Sequence, residues 1–129
     1  MNYVLKSLVA VSALAFASGA AHAAGDATKG ADVFKKCKVC HEVGDTAKNK
    51  VGPTLNNVVG RKVGTGAEFA YSPALKDAGD KGQTWSDELL DKYLADPRTA
   101  LPGNKMAFAG VKKDDDRADV IAYLKTFTK

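Results

Sequence analysis

Histidine, cysteine and methionine occur only twice each in this 129-residue chain, tryptophan once and proline four times. That scarcity leaves very few side chains able to hold a metal or carry redox chemistry. Long apolar runs are missing as well. The marked stretch from Leu8 to Ala17 falls short of the roughly 20 apolar residues that crossing a bilayer requires. Strand-type alternation is not sustained anywhere, and neither an internal repeat nor a low-complexity tract interrupts the sequence. A dense basic stripe with interleaved aromatics is also lacking, which argues against nucleic-acid binding.

What is present divides at Ala23. Lys6, the apolar run that follows it, and the small residues of Ala21-His22-Ala23 have the form of a secretory signal peptide that is removed from the working protein. Losing 23 of 129 residues leaves 106, enough for a single core spanning residues 24 to 129 but not for two. Only Lys6 of the 19 Lys and Arg precedes residue 24, so 18 basic residues face 15 acidic ones, a net charge of +3. A surface of that kind suits an acidic protein partner. Export also places Cys37 and Cys40 in an oxidising compartment, where free thiols rarely persist, so both should be bonded to something.

Helical signals dominate residues 24 to 129, and the expected class is all-α. Asp26 to about Cys37 opens acidic and carries Val33 and Phe34 among lysines. Ser72-Pro73 resembles a cap and first position, opening a short helix that ends at Gly79. Thr84-Trp85-Ser86-Asp87 has the form of a capping box ahead of Leu89, Leu90, Tyr93 and Leu94, and Pro97 stops that helix at Asp96. The last helix opens with Asp114, Asp115 and Asp116 and sets Val120, Tyr123, Leu124 and Phe127 on one face. Val43 to Gly66 and Ala95 to Gly110 read as long loops. Loops of that length in a compact domain need something other than secondary structure to organise them, and a large prosthetic group would do so.

Cys37-Lys38-Val39-Cys40-His41 supplies the candidate, because C-x-x-C-H is the form of covalent haem attachment. Two sulfurs at this spacing can add to the two vinyl groups on one side of a porphyrin, and the adjacent imidazole is then carried beneath the ring. Two alternatives compete. A thioredoxin-like dithiol belongs near a βαβ pattern, which does not precede Cys37. A zinc site needs four ligands, whereas only Cys37, Cys40 and His41 offer sulfur or imidazole once His22 has left. Met106 is then the one methionine available as second axial ligand. It stands in the stiffened loop Leu101-Pro102-Gly103-Asn104-Lys105-Met106, although methionine is more often core filler. Filling both axial positions favours an electron carrier over an enzyme. The competing function is a haem peroxidase or gas sensor in which Met106 is detached.

The chain resembles the class I c-type cytochromes, in the branch shared by mitochondrial cytochrome c and bacterial cytochrome c2. The likeness runs through Gly30 and Phe34, Cys37 to His41, Val51-Gly52-Pro53-Thr54-Leu55, Gly60-Arg61-Lys62, Tyr71, Trp85, Tyr93-Leu94, Pro102 to Met106, Phe108-Ala109-Gly110 and Ile121-Ala122-Tyr123-Leu124. It implies the small single-domain cytochrome c fold, with helices and long loops wrapped around one covalent haem c. It further implies that Pro53 offers its carbonyl to His41, that Arg61, Tyr71 and Trp85 bond or shield the haem propionates, and that Tyr93 lies near the Met106 sulfur. Gly30, beside Phe34 and Tyr123, would mark the crossing of the first and last helices.

The expected work is single-electron shuttling in the periplasm, by a monomer without stable membrane insertion. The donor would be a quinol-oxidising cytochrome complex, and the acceptor a photosynthetic reaction centre or a terminal oxidase. Lys35, Lys38, Lys50, Lys105, Lys112 and Lys113 are expected to ring the haem edge and steer docking. The sequence departs from its relatives in two places. Asn104 replaces a threonine common before the Lys-Met pair, and the stretch from Ser72 to Lys81 is longer than in the mitochondrial form.

Overall fold

The computed structural model describes residues 24–129, so the expected leader lies outside the described residues. Five helices follow in order: α1 (Ala27–Phe34), α2 (Pro73–Asp80), α3 (Asp87–Ala95), α4 (Pro97–Ala100) and α5 (Asp114–Lys125). Among the described residues the only β pairing is one isolated bridge between Lys62 and Thr84. None of these helices is long and apolar enough to cross a membrane.

α1 starts where Asp26 accepts the backbone N–H groups of Thr28 and Lys29, satisfying donors that a helix start leaves free. It ends at Phe34, earlier than the sequence suggested, and passes into a run of turns. Cys37 N–H reaches the Phe34 carbonyl at 2.8 Å, and His41 N–H reaches the Cys37 carbonyl at 2.9 Å. The cysteines therefore lie on turns just beyond the helix. α5 has no side-chain cap, and Asp114, Asp115 and Asp116 in its first turn meet the positive end of its dipole instead.

The two helices pack across Gly30, which is buried. A methyl group at Gly30 would overlap the Asp119 carbonyl and lie 2.8 Å from the Tyr123 Cβ, so only glycine permits this approach. Phe34 is 1 % exposed and sits 5.3 Å from the Tyr123 ring. The buried stripe of α5 differs from expectation. Val120, Ile121 and Leu124 are buried, whereas Tyr123 and Phe127 are half-buried; α5 is covered by both α1 and α3, which shifts and widens its buried face. Arg117, also buried, joins α3 through Asp91 at 2.7 Å, pairs with Asp114, and donates to the Val111 and Lys112 carbonyls.

α3 opens on Ser86, whose hydroxyl accepts Leu89 N–H at 3.1 Å, and not on Thr84 as expected. Thr84 is held in extended backbone by its bridge to Lys62. α2 is capped by Ser72 with Pro73 in the first turn, as expected, and runs one residue past Gly79. α4 lies in a stretch read as loop. Asp96, in extended backbone after α3, accepts Thr99 N–H and hydroxyl, and Pro97 begins a single helical turn.

The long loop before α2 is tied down by side-chain amides. Asn56 both accepts from and donates to the Gly44 backbone, at 2.9 and 2.8 Å. Asn57 N–H donates to the Phe127 carbonyl, and the Asn57 side chain accepts Lys129 N–H. The core unites Phe34, Trp85, Leu90, Tyr93, Leu101, Val120 and Leu124, with Cys37 and Met106 packed at its margin. Both sulfur-bearing segments thus open onto one apolar interior.

Candidate cofactor site

Cys37, Cys40 and His41 are fixed by the turns that end α1 and by the segment 50–53 laid against them. Gly52 N–H donates to the Cys40 carbonyl at 2.9 Å, and the Lys50 ammonium donates to the Lys38 carbonyl at 3.0 Å. His41 Nδ1 lies 2.7 Å from the Pro53 carbonyl. A carbonyl can only accept, so Nδ1 carries the proton and Nε2 keeps its lone pair free. Burial pushes the His41 pKa below the ordinary imidazole range; the Pro53 bond opposes that shift and the nearby Lys50 charge adds to it. The neutral, ligand-competent ring is therefore favoured.

Cys37 and Cys40 are not joined to each other. Burial pushes the Cys37 thiol up to about 11, partly offset by Lys36. A thiol-exchange motif needs a low-pKa nucleophile, so this environment disfavours the dithiol reading. Among the described residues no three His, Cys, Asp or Glu side chains converge as a metal-binding group, which leaves the zinc reading without a ligand set.

Met106 stands on the loop after α4, half-buried against the core. The Tyr93 hydroxyl from α3 points to its sulfur at 4.0 Å. Burial pushes the Tyr93 phenol up to about 12, so it remains a donor at neutral pH. The Tyr93 ring in turn lies 4.9 Å from Trp85.

Arg61, Tyr71 and Trp85 are gathered by backbone pairing. Trp85 N–H donates to the Arg61 carbonyl and Gly60 N–H to the Trp85 carbonyl, both at 2.8 Å. The Tyr71 hydroxyl accepts Gly66 N–H at 2.9 Å, and a Cβ at Gly66 would press on both that hydroxyl and the Arg61 guanidinium. Arg61 Nη1 donates to the Asn56 carbonyl at 3.1 Å, yet its Nε is buried without any partner. Leaving such a donor unpaired costs about 1–3 kcal/mol or more. An anionic group carried on a ligand beside Arg61 would satisfy it. The full set comprises two thiols at fixed spacing, an imidazole with one free nitrogen, a thioether and an unsatisfied guanidinium N–H over an apolar interior. It fits a haem with its propionates.

The lysines expected at the edge are all exposed. Lys50 is brought to Lys38, while Lys112 folds its ammonium onto the Ala95 and Ala109 carbonyls and Lys35 pairs with Asp32 at 2.8 Å. Reading the sequence missed the structural parts played by Asn56, Gly66 and the Asn104 side chain. The available signals were the Asn56-Asn57 pair and Asn104 after Gly103, since asparagine in a loop commonly bonds nearby backbone; nothing local marks Gly66.

A model of the family described as Cytochrome c matches residues 27–128. The chain is 55 % identical over 109 residues to cytochrome c2 of Rhodomicrobium vannielii, covering 84 % of this chain and 85 % of that protein. It is 54 % identical over 99 residues to cytochrome c-550 of Ancylobacter novellus, covering 77 % and 92 %. Among solved structures, cytochrome c2 from Rhodospirillum centenum superposes with a TM-score of 0.76 at 41 % identity, covering 81 % of this chain and all of that one. Cytochrome cH from Methylobacterium extorquens gives 0.72 at 47 % identity, covering 79 % and 99 %. The C-x-x-C-H turn, the helical fold and these likenesses together make the chain a member of the class I c-type cytochrome family, in its cytochrome c2 branch, and thus an electron carrier with a covalently bound haem c.

Proposed function

We propose that this protein shuttles single electrons in the periplasm from a quinol-oxidising cytochrome complex to a reaction centre or terminal oxidase, after a leader ending at Ala23 is removed. Cys37 and Cys40 would hold the haem through thioether bonds, and His41 and Met106 would ligate its iron. When bound, the haem iron supplies the one-electron redox couple. The chain's own residues do the rest. Pro53 fixes the tautomer of His41 and aims its ring, Tyr93 donates toward the Met106 sulfur, and Arg61, Tyr71 and Trp85 would hold or shield the propionates. A thioether ligand and apolar neighbours favour the less charged iron, which sets a high reduction potential.

The observation that carries this reading is the 2.7 Å bond between His41 Nδ1 and the Pro53 carbonyl, which leaves Nε2 as the one ring atom free to coordinate. With the Met106 sulfur packed against the same interior, His41 and Met106 would together hold the iron from within the chain and leave oxygen or peroxide no open site. One visible spectrum of the matured protein tests this. A six-coordinate low-spin iron is expected, with the weak far-red band of methionine bound to ferric iron and no response to carbon monoxide. A high-spin spectrum that changes with carbon monoxide or peroxide would establish the sensor or peroxidase instead. A colourless protein with a titratable dithiol would remove the haem altogether.

Lys35, Lys38, Lys50, Lys105, Lys112 and Lys113 form the docking face for the partner complexes. Their exposure and the surplus of basic over acidic residues support that role.

A further inference from the structure

Asn104 lies two residues before Met106, and its side chain is fully committed. Its Oδ1 accepts Met106 N–H at 2.9 Å, while Nδ2 donates to the Pro97 and Leu101 carbonyls, each at 2.8 Å. A primary amide has two N–H groups, so no donor remains for a propionate or any other ligand. The two carbonyls belong to the first residue of α4 and to its C-cap, and Pro97 and Leu101 are both buried. Asn104 therefore lashes the backbone of Met106 to a helical turn that is itself anchored in the core.

The rest of the loop is held less closely. Gly103, at φ +88, turns the chain back so that Asn104 N–H meets the Leu101 carbonyl at 3.2 Å. At the far end, Val111 N–H donates to the Leu94 carbonyl at 2.7 Å, and Arg117 holds the Val111 carbonyl. Between these anchors Met106 takes part in a short-range backbone bond, from Phe108 N–H to the Met106 carbonyl, at 3.0 Å. The side chain whose bonds fix where Met106 begins is Asn104. Threonine, which the family resemblance leads one to expect here, is shorter and has a single donor, so it cannot make this three-way connection.

We propose that Asn104 is the positioning residue for Met106, and that its carboxamide bracket between α4 and the ligand loop sets how readily the methionine leaves the iron. The proposal rests on Met106 being the second axial ligand, as put forward above.

External imidazole competes with Met106 for the ferric iron of the mature haem-loaded protein, so its affinity reads the cost of opening this loop. Asn104→Ala is expected to tighten imidazole binding by about tenfold, equivalent to about 1.4 kcal/mol, to weaken the far-red band, and to speed hydrogen exchange at the Met106 amide. Asn104→Asp is near-isosteric. It keeps the acceptor for Met106 N–H but loses both donors, so it should protect that amide while still tightening imidazole binding. Val120→Ala, at a buried position of α5 outside the Asn104 bracket, serves as the control that lowers global stability without moving imidazole affinity. If both Asn104 variants behave like Val120→Ala, losing stability with imidazole affinity and the far-red band unchanged, the positioning role is overturned. If the unsubstituted protein itself lacks the far-red band, the ligand assignment falls and this proposal with it.

Discussion

Gly52, just ahead of Pro53, is a spatial requirement and not a conformational one. Its backbone needs no left-handed conformation, but a Cβ there would lie 2.7 and 2.8 Å from the two ring nitrogens of His41. Gly52→Ala is therefore expected to tilt the imidazole off the Pro53 carbonyl, costing about 1–3 kcal/mol of stability as overpacking and converting low-spin to high-spin iron in the visible spectrum. Unchanged spectrum and denaturation midpoint would refute that account. Single residues divide sharply in how much of the candidate site they disclosed beforehand. Cys37, Cys40, His41 and Met106 were legible because their chemistry is scarce in this chain and their spacing is constrained. Arg61, Tyr71, Trp85 and Tyr93 came only with the family resemblance. The Asn104 bracket was hidden, because its partners are carbonyls whose positions depend on a helix that the sequence did not announce.

That helix, α4, shows what governs legibility among elements. A single turn has too few residues for an apolar period, and its one sequence cue, Asp96-Pro97, equally marks the end of α3. The other four helices were visible because each carries a cap or a charged first turn, followed in α1, α3 and α5 by apolar residues at helical spacing; α2 showed only its Ser72-Pro73 start. The shift of the α3 cap from Thr84 to Ser86 came from a tertiary bridge that local pattern does not encode. α4 also makes a prediction about acid. The Thr99 hydroxyl, and then its N–H, hold the Asp96 carboxyl below its usual 3.8, with Lys112 and the Arg98 N–H adding to the effect and burial opposing it. A depressed carboxyl stabilises the folded state fully above pH 3.8 and loses that contribution as pH falls through the folded value. Asp96→Ala should therefore lower the denaturation midpoint near neutrality, with the gap from the parent protein narrowing in strong acid. Asp96→Asn should keep most of the capping and lose the pH dependence. A gap that stays constant down to strong acid would show that Asp96 does not act through its charge.

At the scale of the whole molecule, 18 basic against 15 acidic residues from residue 24 onward is a mild surplus, so its distribution matters more than its sum. Lys38 and Lys50 meet beside the cysteine turns, while Lys105, Lys112 and Lys113 flank the Met106 loop. Electron-transfer rates to an acidic partner complex should fall steeply as ionic strength rises, because such steering is screened within about 10 Å at 0.1 M salt. A flat salt response in stopped-flow measurements would dismiss these lysines as a docking face. The pairing of α1 with α5 carries a different implication. Asp26 bonds Asp119 across 93 positions of sequence, and Asn57 is locked by Phe127 and Lys129. A polypeptide that appears amino end first cannot close this interior until its carboxyl-terminal helix has also appeared. If Cys37 and Cys40 bond the porphyrin as proposed, they would stay open to attachment throughout that interval, so the late closure of the fold would hold the door for its own maturation.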